Sequence, residues 1–233
     1  PMKKILKHIL SALALFMLAL SPLCMAQDGS TSKSKDEGSQ TKSNNYRGMI
    51  APSTRHINPL QVGDQTPEVA LRTLADKKTT LKKAMEGKPA VLIFYRGGWC
   101  PFCTNHLGKL KEIEGDLKAL NMQIIAISPD RPQKAAETNQ KVNPGYTILS
   151  DGPLTAAKAF GLAFELDART LEKYSDYGLD LIAASGETHE SLPVPAVYIL
   201  DKKGVVRFAH VDPNYRNRLN NEAILKAAKA LSK

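Results

Sequence analysis

The apolar run Val91-Leu92-Ile93-Phe94-Tyr95 stands directly ahead of Arg96-Gly97-Gly98-Trp99-Cys100-Pro101-Phe102-Cys103, and this junction restricts the fold more than any other part of the chain. Short apolar runs bounded by turn residues read as buried strands, and the two glycines mark a loop. Pro101 suits the first turn of a helix, where its missing N–H costs nothing and its fixed φ already fits. A strand, a loop and a helix in that order put Cys100 at or beside the helix N-terminus. Unpaired N–H groups and the positive end of the helix dipole there favour a thiolate. Cys103 follows three residues later on the same helical face, so the two sulfurs can close a small disulfide ring. The pair reads as a dithiol/disulfide couple.

Three other uses of a Cys-x-x-Cys pair fit less well. Zinc needs two more ligands, and after Cys103 the chain has no cysteine and only His106, His189 and His210. Haem attachment needs histidine directly after the second cysteine, where Thr104 stands. An inert disulfide usually closes a longer loop.

The N-terminus reads as an export signal. Lys3, Lys4 and Lys7 precede an apolar run from Ile9 to Leu20, and Cys24 and Ala26 supply the small-residue pattern for cleavage before Gln27. The apolar run falls short of the roughly 20 residues that span a bilayer, so no stable membrane span is expected after signal removal. A lipoprotein with Cys24 acylated is the alternative, although Leu23 stands where such sites carry a small residue. Residues 1–26 are therefore expected to be a signal peptide and 27–48, polar and lacking buriable side chains, a disordered linker. Residues 49–233 are the size of one domain. Loss of Cys24 with the signal leaves only Cys100 and Cys103, which suits an oxidising, extracytoplasmic or periplasmic location. The formal charge of +9 falls to +6 with the three signal lysines. The remaining basic residues lack the aromatic interleaving of nucleic-acid platforms, so no nucleic-acid partner is expected.

Within the domain, apolar runs alternate with helical patterns, the rhythm of an α/β fold. Strands are expected near 69–73, 90–95, 122–128, 146–150, 194–201 and 205–211. The last two form a hairpin across Asp201-Lys202-Lys203-Gly204. Helices are expected near 103–120, with Leu107, Leu110, Ile113, Leu117 and Leu120 at helical spacing, and at 133–141, 153–161 and 220–231. The polar and aromatic stretch from Leu162 to Leu192 reads as an insertion whose Tyr174 and Tyr177 are candidates for a lid or a contact face.

The strand 91–95, the Arg96-to-Cys103 run, the strand ending Ala126-Ile127-Ser128-Pro129-Asp130 and the segment Leu192-Pro193-Val194-Pro195 before Val197 resemble the thioredoxin superfamily. The closer likeness is to its peroxiredoxin-like branch, the alkyl hydroperoxide reductase and thiol-specific antioxidant family. The resemblance implies a thioredoxin-like fold with a central mixed β-sheet flanked by α-helices, and Pro195 as a cis-proline facing the cysteines. It implies reduction of hydroperoxides without metal or organic cofactor, a thioredoxin-like dithiol as electron donor, and Trp99, Pro101 and Phe102 beside the substrate. In thioredoxin-like exchange Cys100 attacks and Cys103 resolves. In the peroxiredoxin pattern the attacking cysteine lies one turn after a threonine, which puts Cys103 in the attacking position and Cys100 in place of the threonine.

The chain departs from both patterns. The arginine that peroxiredoxins carry on the strand is replaced by Pro195, and Arg96 stands where they have a loop proline. Arg96 or Arg207 is expected to supply the positive charge. The buried acid of thioredoxins is replaced by Phe94. The runner-up function is disulfide reduction or oxidation of exported proteins. A third class, a copper-binding module, would use the thiol pair with a histidine such as His106.

Overall fold

Continuous apolar strands are stable only where both sheet faces are covered, and three apolar runs of the domain become neighbours at the centre of one sheet. In the computed structural model, which describes residues 45–231, β3 (Ala90–Phe94) lies parallel to β4 (Gln123–Ser128), and β4 lies parallel to β5 (Thr147–Ser150). On its other side β3 pairs antiparallel with β8 (Ala196–Leu200), which forms the expected hairpin with β9 (Val206–Val211). β1 (Ala70–Arg72) and β2 (Lys78–Thr80) extend the opposite edge, giving the order β2-β1-β5-β4-β3-β8-β9. This is the expected mixed sheet.

The period of two along each strand divides the core. Leu92, Phe94, Ile125 and Ile127 face the side covered by α1 (Leu81–Met85) and α5 (Thr155–Ala159). Val91, Ile93, Tyr95, Ile124 and Ala126 face the other side, with Cys100, Cys103 and the apolar residues of α2 (Pro101–Leu110). There α3 (Glu114–Ala119), α4 (Pro132–Val142) and α8 (Asn221–Leu231) complete the layer through Leu117, Ala135 and Ile224. Fully burying each aliphatic side chain contributes on the order of 1.5–3 kcal/mol, so the cysteine side of the sheet is a rigid wall.

The helix expected over 103–120 starts at Pro101 and is interrupted by a 3-10 turn at Lys111–Ile113. Leu107, Leu110 and Ile113 are spaced by threes, and tightening to three residues per turn keeps Ile113 on the buried face. The insertion closes on itself. β6 (Ala163–Glu165) pairs antiparallel with β7 (Ser191–Pro193), and between them run α6 (Ala168–Asp176) and α7 (Leu181–Ser185), capped by the side chains of Asp167 and Asp180.

Arg47 and Gly48, just ahead of the expected boundary at residue 49, are tied to the domain. Arg47 donates to the carbonyls of Asn58 and Pro59 and pairs with Asp64 at 3.4 Å, and the Gly48 N–H donates to Lys158 O. These backbone and charge contacts fix a segment whose side chains alone have little to bury. The expected signal peptide 1–26, and the expected linker as far as residue 44, lie outside the described residues. Among the described residues no helix is long and apolar enough to cross a membrane.

Candidate active site

The loop from Arg96 to Trp99 carries the chain from the end of β3 to the start of α2, and its two glycines are sterically required. Gly97 has φ +146°, and a Cβ there would lie 2.2 Å from Trp99 Nε1 and 2.9 Å from Asp130 Oδ1. At Gly98 a Cβ would meet Thr138 Oγ1 at 1.7 Å. Asp130, just past β4, anchors the loop by accepting from the Gly98 N–H at 2.8 Å and from Ser128 Oγ at 3.0 Å. Burial raises the Asp130 carboxyl to about 6, against the pull of those hydrogen bonds.

Cys100 is the N-cap of α2, with extended backbone (φ −84°, ψ 113°), and its carbonyl accepts from the N–H groups of Cys103 and Thr104. Both cysteines are free thiols with about 1% exposure. The Cys103 thiol faces the Cys100 sulfur and, with the Cys103 backbone N–H and the charges of Arg96 and Arg218, holds Cys100 down at about 6 against its burial. Cys103 is pushed well above the ordinary thiol range, first by burial and then by its neighbour. The pair thus shares one negative charge across two adjacent sulfurs.

The guanidinium that meets a sulfur is Arg218, in the segment between β9 and α8. Its Nη2 donates to Cys103 Sγ at 3.3 Å. Arg207 does not serve: it forms a two-pronged pair with Asp201 at 2.7 and 2.9 Å on the exposed edge of the sheet. Arg96 is 4% exposed and stacks against three rings, with its guanidinium carbon 4.0 Å from the ring centre of Tyr215, 5.0 Å from Trp99 and 5.5 Å from Tyr174. Its backbone N–H faces the Cys103 sulfur. Trp99 packs against the cysteine-side core and meets Tyr174 at a tilt, ring centres 5.6 Å apart and planes 60° inclined. Pro101 is exposed at the start of α2, and Phe102, half in solvent, packs on Tyr215 with ring centres 5.8 Å apart. Tyr177 is exposed.

Pro195 is a correction: among the described residues no peptide bond is cis. The chain runs from β7 straight into β8. The Val194 N–H bonds Leu162 O beside the small sheet, and Ala196 immediately pairs with Phe94 and Val211, so an extended trans link meets both requirements. Pro195 still lines, with Arg96, Tyr174 and Tyr215, a cavity of about 250 Å³. Phe94 packs on Phe160 and Tyr198 on the opposite side of the sheet, and it is Tyr95 that points to the cysteines. The Tyr95 hydroxyl is buried and, among the described residues, makes no hydrogen bond of standard geometry, with Ser128 as a polar neighbour. His106, one turn beyond Cys103, is buried, and burial lowers its imidazole to about 4, with Arg218 as the next cause. Among the described residues no group of three or more His, Cys, Asp or Glu side chains is arranged to hold a metal ion.

Arg218, Tyr215, Tyr95 and Asp130 escaped the reading of the sequence. The local cluster Tyr215-Arg216-Asn217-Arg218 was a usable signal, since cationic and aromatic residues together in a loop often serve a site.

The sequence model of the AhpC/TSA family matches residues 62–209. A putative peroxiredoxin bcp of Haemophilus influenzae is 33% identical over 106 residues, covering 46% of this chain and 68% of that protein. The chloroplastic peroxiredoxin Q of Populus jackii is 24% identical over 212 residues, covering 88% and 87%. Among solved structures, reduced Prx3 of Vibrio vulnificus in complex with hydrogen peroxide shares the fold with a TM-score of 0.59 at 22% identity, over 72% of this chain and 99% of that one. Peroxidoxin BcpB of Mycobacterium tuberculosis does so with a TM-score of 0.58 at 18% identity, over 74% and 98%. With its family match spanning most of the domain and a pair of free thiols at the helix start, this chain belongs to the AhpC/TSA family and is a thiol-dependent peroxidase of the peroxiredoxin type.

Proposed function

We propose that this peroxidase is exported and reduces hydrogen peroxide and organic hydroperoxides through a Cys103/Cys100 cycle. The Cys103 thiolate attacks the distal peroxide oxygen, the O–O bond breaks, and the alcohol or water leaves after taking up a proton. Cys103 becomes a sulfenic acid. The Cys100 thiol then condenses with it, releasing water and forming the Cys100–Cys103 disulfide, and a thioredoxin-like dithiol donor returns both to thiols. The observation that carries this reading is the Arg218 donor 3.3 Å from Cys103 Sγ, a directed charge that works against the burial and the Cys100 neighbour which otherwise keep this thiol protonated. Export rests on the lysine-flanked apolar N-terminus and its small-residue cleavage pattern.

One observation favours a second reading. Cys100 caps the helix and is held at about 6, which suits it to attack a protein disulfide as thioredoxin-like proteins do. Trapping the attacking sulfur separates the two. Cys100→Ser is expected to react once with hydrogen peroxide and to accumulate a dimedone-trappable sulfenic acid at Cys103, and Cys103→Ser is not. Trapping at Cys100 alone, with faster mixed-disulfide formation than peroxide consumption, assigns the protein to disulfide exchange. Intact mass of the exported protein tests the cleavage before Gln27, and an acylated Cys24 would replace it.

A further inference from the structure

Arg96, 4% exposed, has neither a carboxylate in ion-pair range nor a hydrogen-bond acceptor on its guanidinium among the described residues, and its contacts are ring faces at the edge of a cavity. Removing a guanidinium from water costs several kcal/mol unless something replaces the lost solvation. The faces of Tyr215, Trp99 and Tyr174 replace part of it. Ring faces cannot accept its in-plane N–H groups as an oxyanion does, so the planar fork is left to bind an anion. The guanidinium lines the cavity of about 250 Å³, whose remaining walls include Phe164, Leu166, Pro195 and Pro213. Two acidic residues also border it. Asp167 is exposed and its carboxylate is spent on the N-cap of α6, accepting from Thr170 N at 2.8 Å and Thr170 Oγ1 at 3.0 Å, and Glu165 is exposed as well. Their charges at the solvent edge oppose entry of a polyanion more strongly than that of a molecule carrying one negative charge on an apolar body, whose burial among the rings offsets the weaker repulsion.

We propose that this cavity is a carboxylate-binding subsite, and that the protein takes small organic hydroperoxides bearing a carboxylate, which is held by the Arg96 guanidinium between the three rings. The proposal rests on the peroxidase reading and names its substrate class. Arg96 links the cavity it lines to the thiol pair, since its charge acts on Cys100, its backbone N–H faces the Cys103 sulfur, and Trp99, against which it rests, directly precedes Cys100. The reaction leaves the carboxylate untouched. Sulfur bonds to the distal oxygen, the O–O bond breaks, and the alkoxide takes up a proton to give the hydroxy acid, sulfur being oxidised by two electrons.

Trp99 is the only tryptophan in the chain and sits against Arg96, so binding is readable without turnover. The full chain in its reduced form is titrated with hexanoate and with methyl hexanoate while tryptophan emission is followed. A saturable change with hexanoate alone is expected, lost in Arg96→Gln. In parallel, the rates of thiol oxidation by a six-carbon hydroperoxy acid and by its methyl ester are compared, and the acid is expected to react at least about tenfold faster. Because the acid/ester contrast is made on the unmodified protein, it stands even if Arg96→Gln does not fold. Equal binding and equal rates for acid and ester overturn the carboxylate subsite. Failure of hydrogen peroxide to oxidise the thiols, with hexanoate still bound, overturns the peroxidase reading and with it the assigned substrate class, but not the anion site.

Discussion

Arg218 Nη2 donates to Cys103 Sγ at 3.3 Å although 115 residues separate them in sequence, so the segment after the terminal hairpin completes a site that begins at the start of α2. If Cys103 attacks as proposed, a guanidinium at that distance stabilises negative charge on its sulfur and, as the O–O bond opens, on the departing oxygen. Removing one such preorganised donor from an enzyme typically costs a factor of about 10²–10³ in rate. Arg218→Met is expected to lose activity in that range in stopped-flow oxidation by hydrogen peroxide. Arg218→Lys should recover only part, since a point charge cannot reproduce a directed N–H fork. A fully active Arg218→Met protein would transfer the role to Arg96.

The approach of Gly98 to α4 gives a packing prediction. A methyl at Gly98 meets Thr138 Oγ1 at 1.7 Å and Thr138 Cβ at 3.0 Å, a collision with a helix that cannot move without opening the cysteine-side core. Gly98→Ala should therefore destabilise by about 1–3 kcal/mol, seen as a lower urea midpoint with an unchanged m-value. Adding Thr138→Ala removes the nearest atom and should restore part of the loss, whereas Thr138→Ser keeps the hydroxyl and should restore little. Equal midpoints for Gly98→Ala and the unmodified protein would show that the loop is free to shift away from Thr138.

Tyr95 offers a buried hydroxyl that makes no hydrogen bond of standard geometry among the described residues, next to Cys103 and the Ser128–Asp130 pair. An unsatisfied buried hydroxyl destabilises, so replacing it by hydrogen while keeping the ring is close to neutral or favourable. Tyr95→Phe is expected to change folding stability by less than about 1 kcal/mol in denaturant titration, with any change stabilising. A loss larger than that would mean that the hydroxyl is hydrogen-bonded in solution, to Ser128 Oγ or to the Cys103 sulfur.

The strands and the placement of the cysteines were legible because they depend on short-range signals. The all-apolar runs at 91–95 and 196–200 declare strands covered on both faces, and Gly97, Gly98 and Pro101 mark the loop and the helix start. The break at Lys111–Ile113 was also written in the spacing, in the repeated interval of three from Leu107 to Ile113, although a simple helical count passes over it. The partners of the site were not legible. Tyr174 stood out as a lid or contact-face candidate but not as a partner of Arg96, Tyr215 and Arg218 lie in a loop without period, and all three reach Arg96 or Cys103 only through tertiary closure. Pro195 misled for a related reason, since the isomer of its peptide bond is set by the path between the small sheet and β8, which no local pattern records.

His106 gives the pH prediction. Burial holds its imidazole at about 4, well below its value of 6.5 in an unfolded chain, and Arg218 opposes its protonation further. Between those two values the unfolded chain binds a proton that the folded one refuses, so stability is complete above about pH 6.5 and falls as the pH drops towards 4. A shift of this size corresponds to a loss of roughly 3 kcal/mol at the lower end. Burial raises Asp130 to about 6 and Asp151 to about 7, and these act in the opposite sense, since their protonated forms fit the folded protein better as the pH falls. The difference between two proteins isolates the histidine. His106→Gln should lose less stability between pH 7 and pH 4.5 than the unmodified protein, by an amount that tracks the missing titration, with urea midpoints measured at both pH values on the reduced domain. Parallel losses in the two proteins would mean that His106 takes up its proton inside the fold, beside Arg218, without opening the structure.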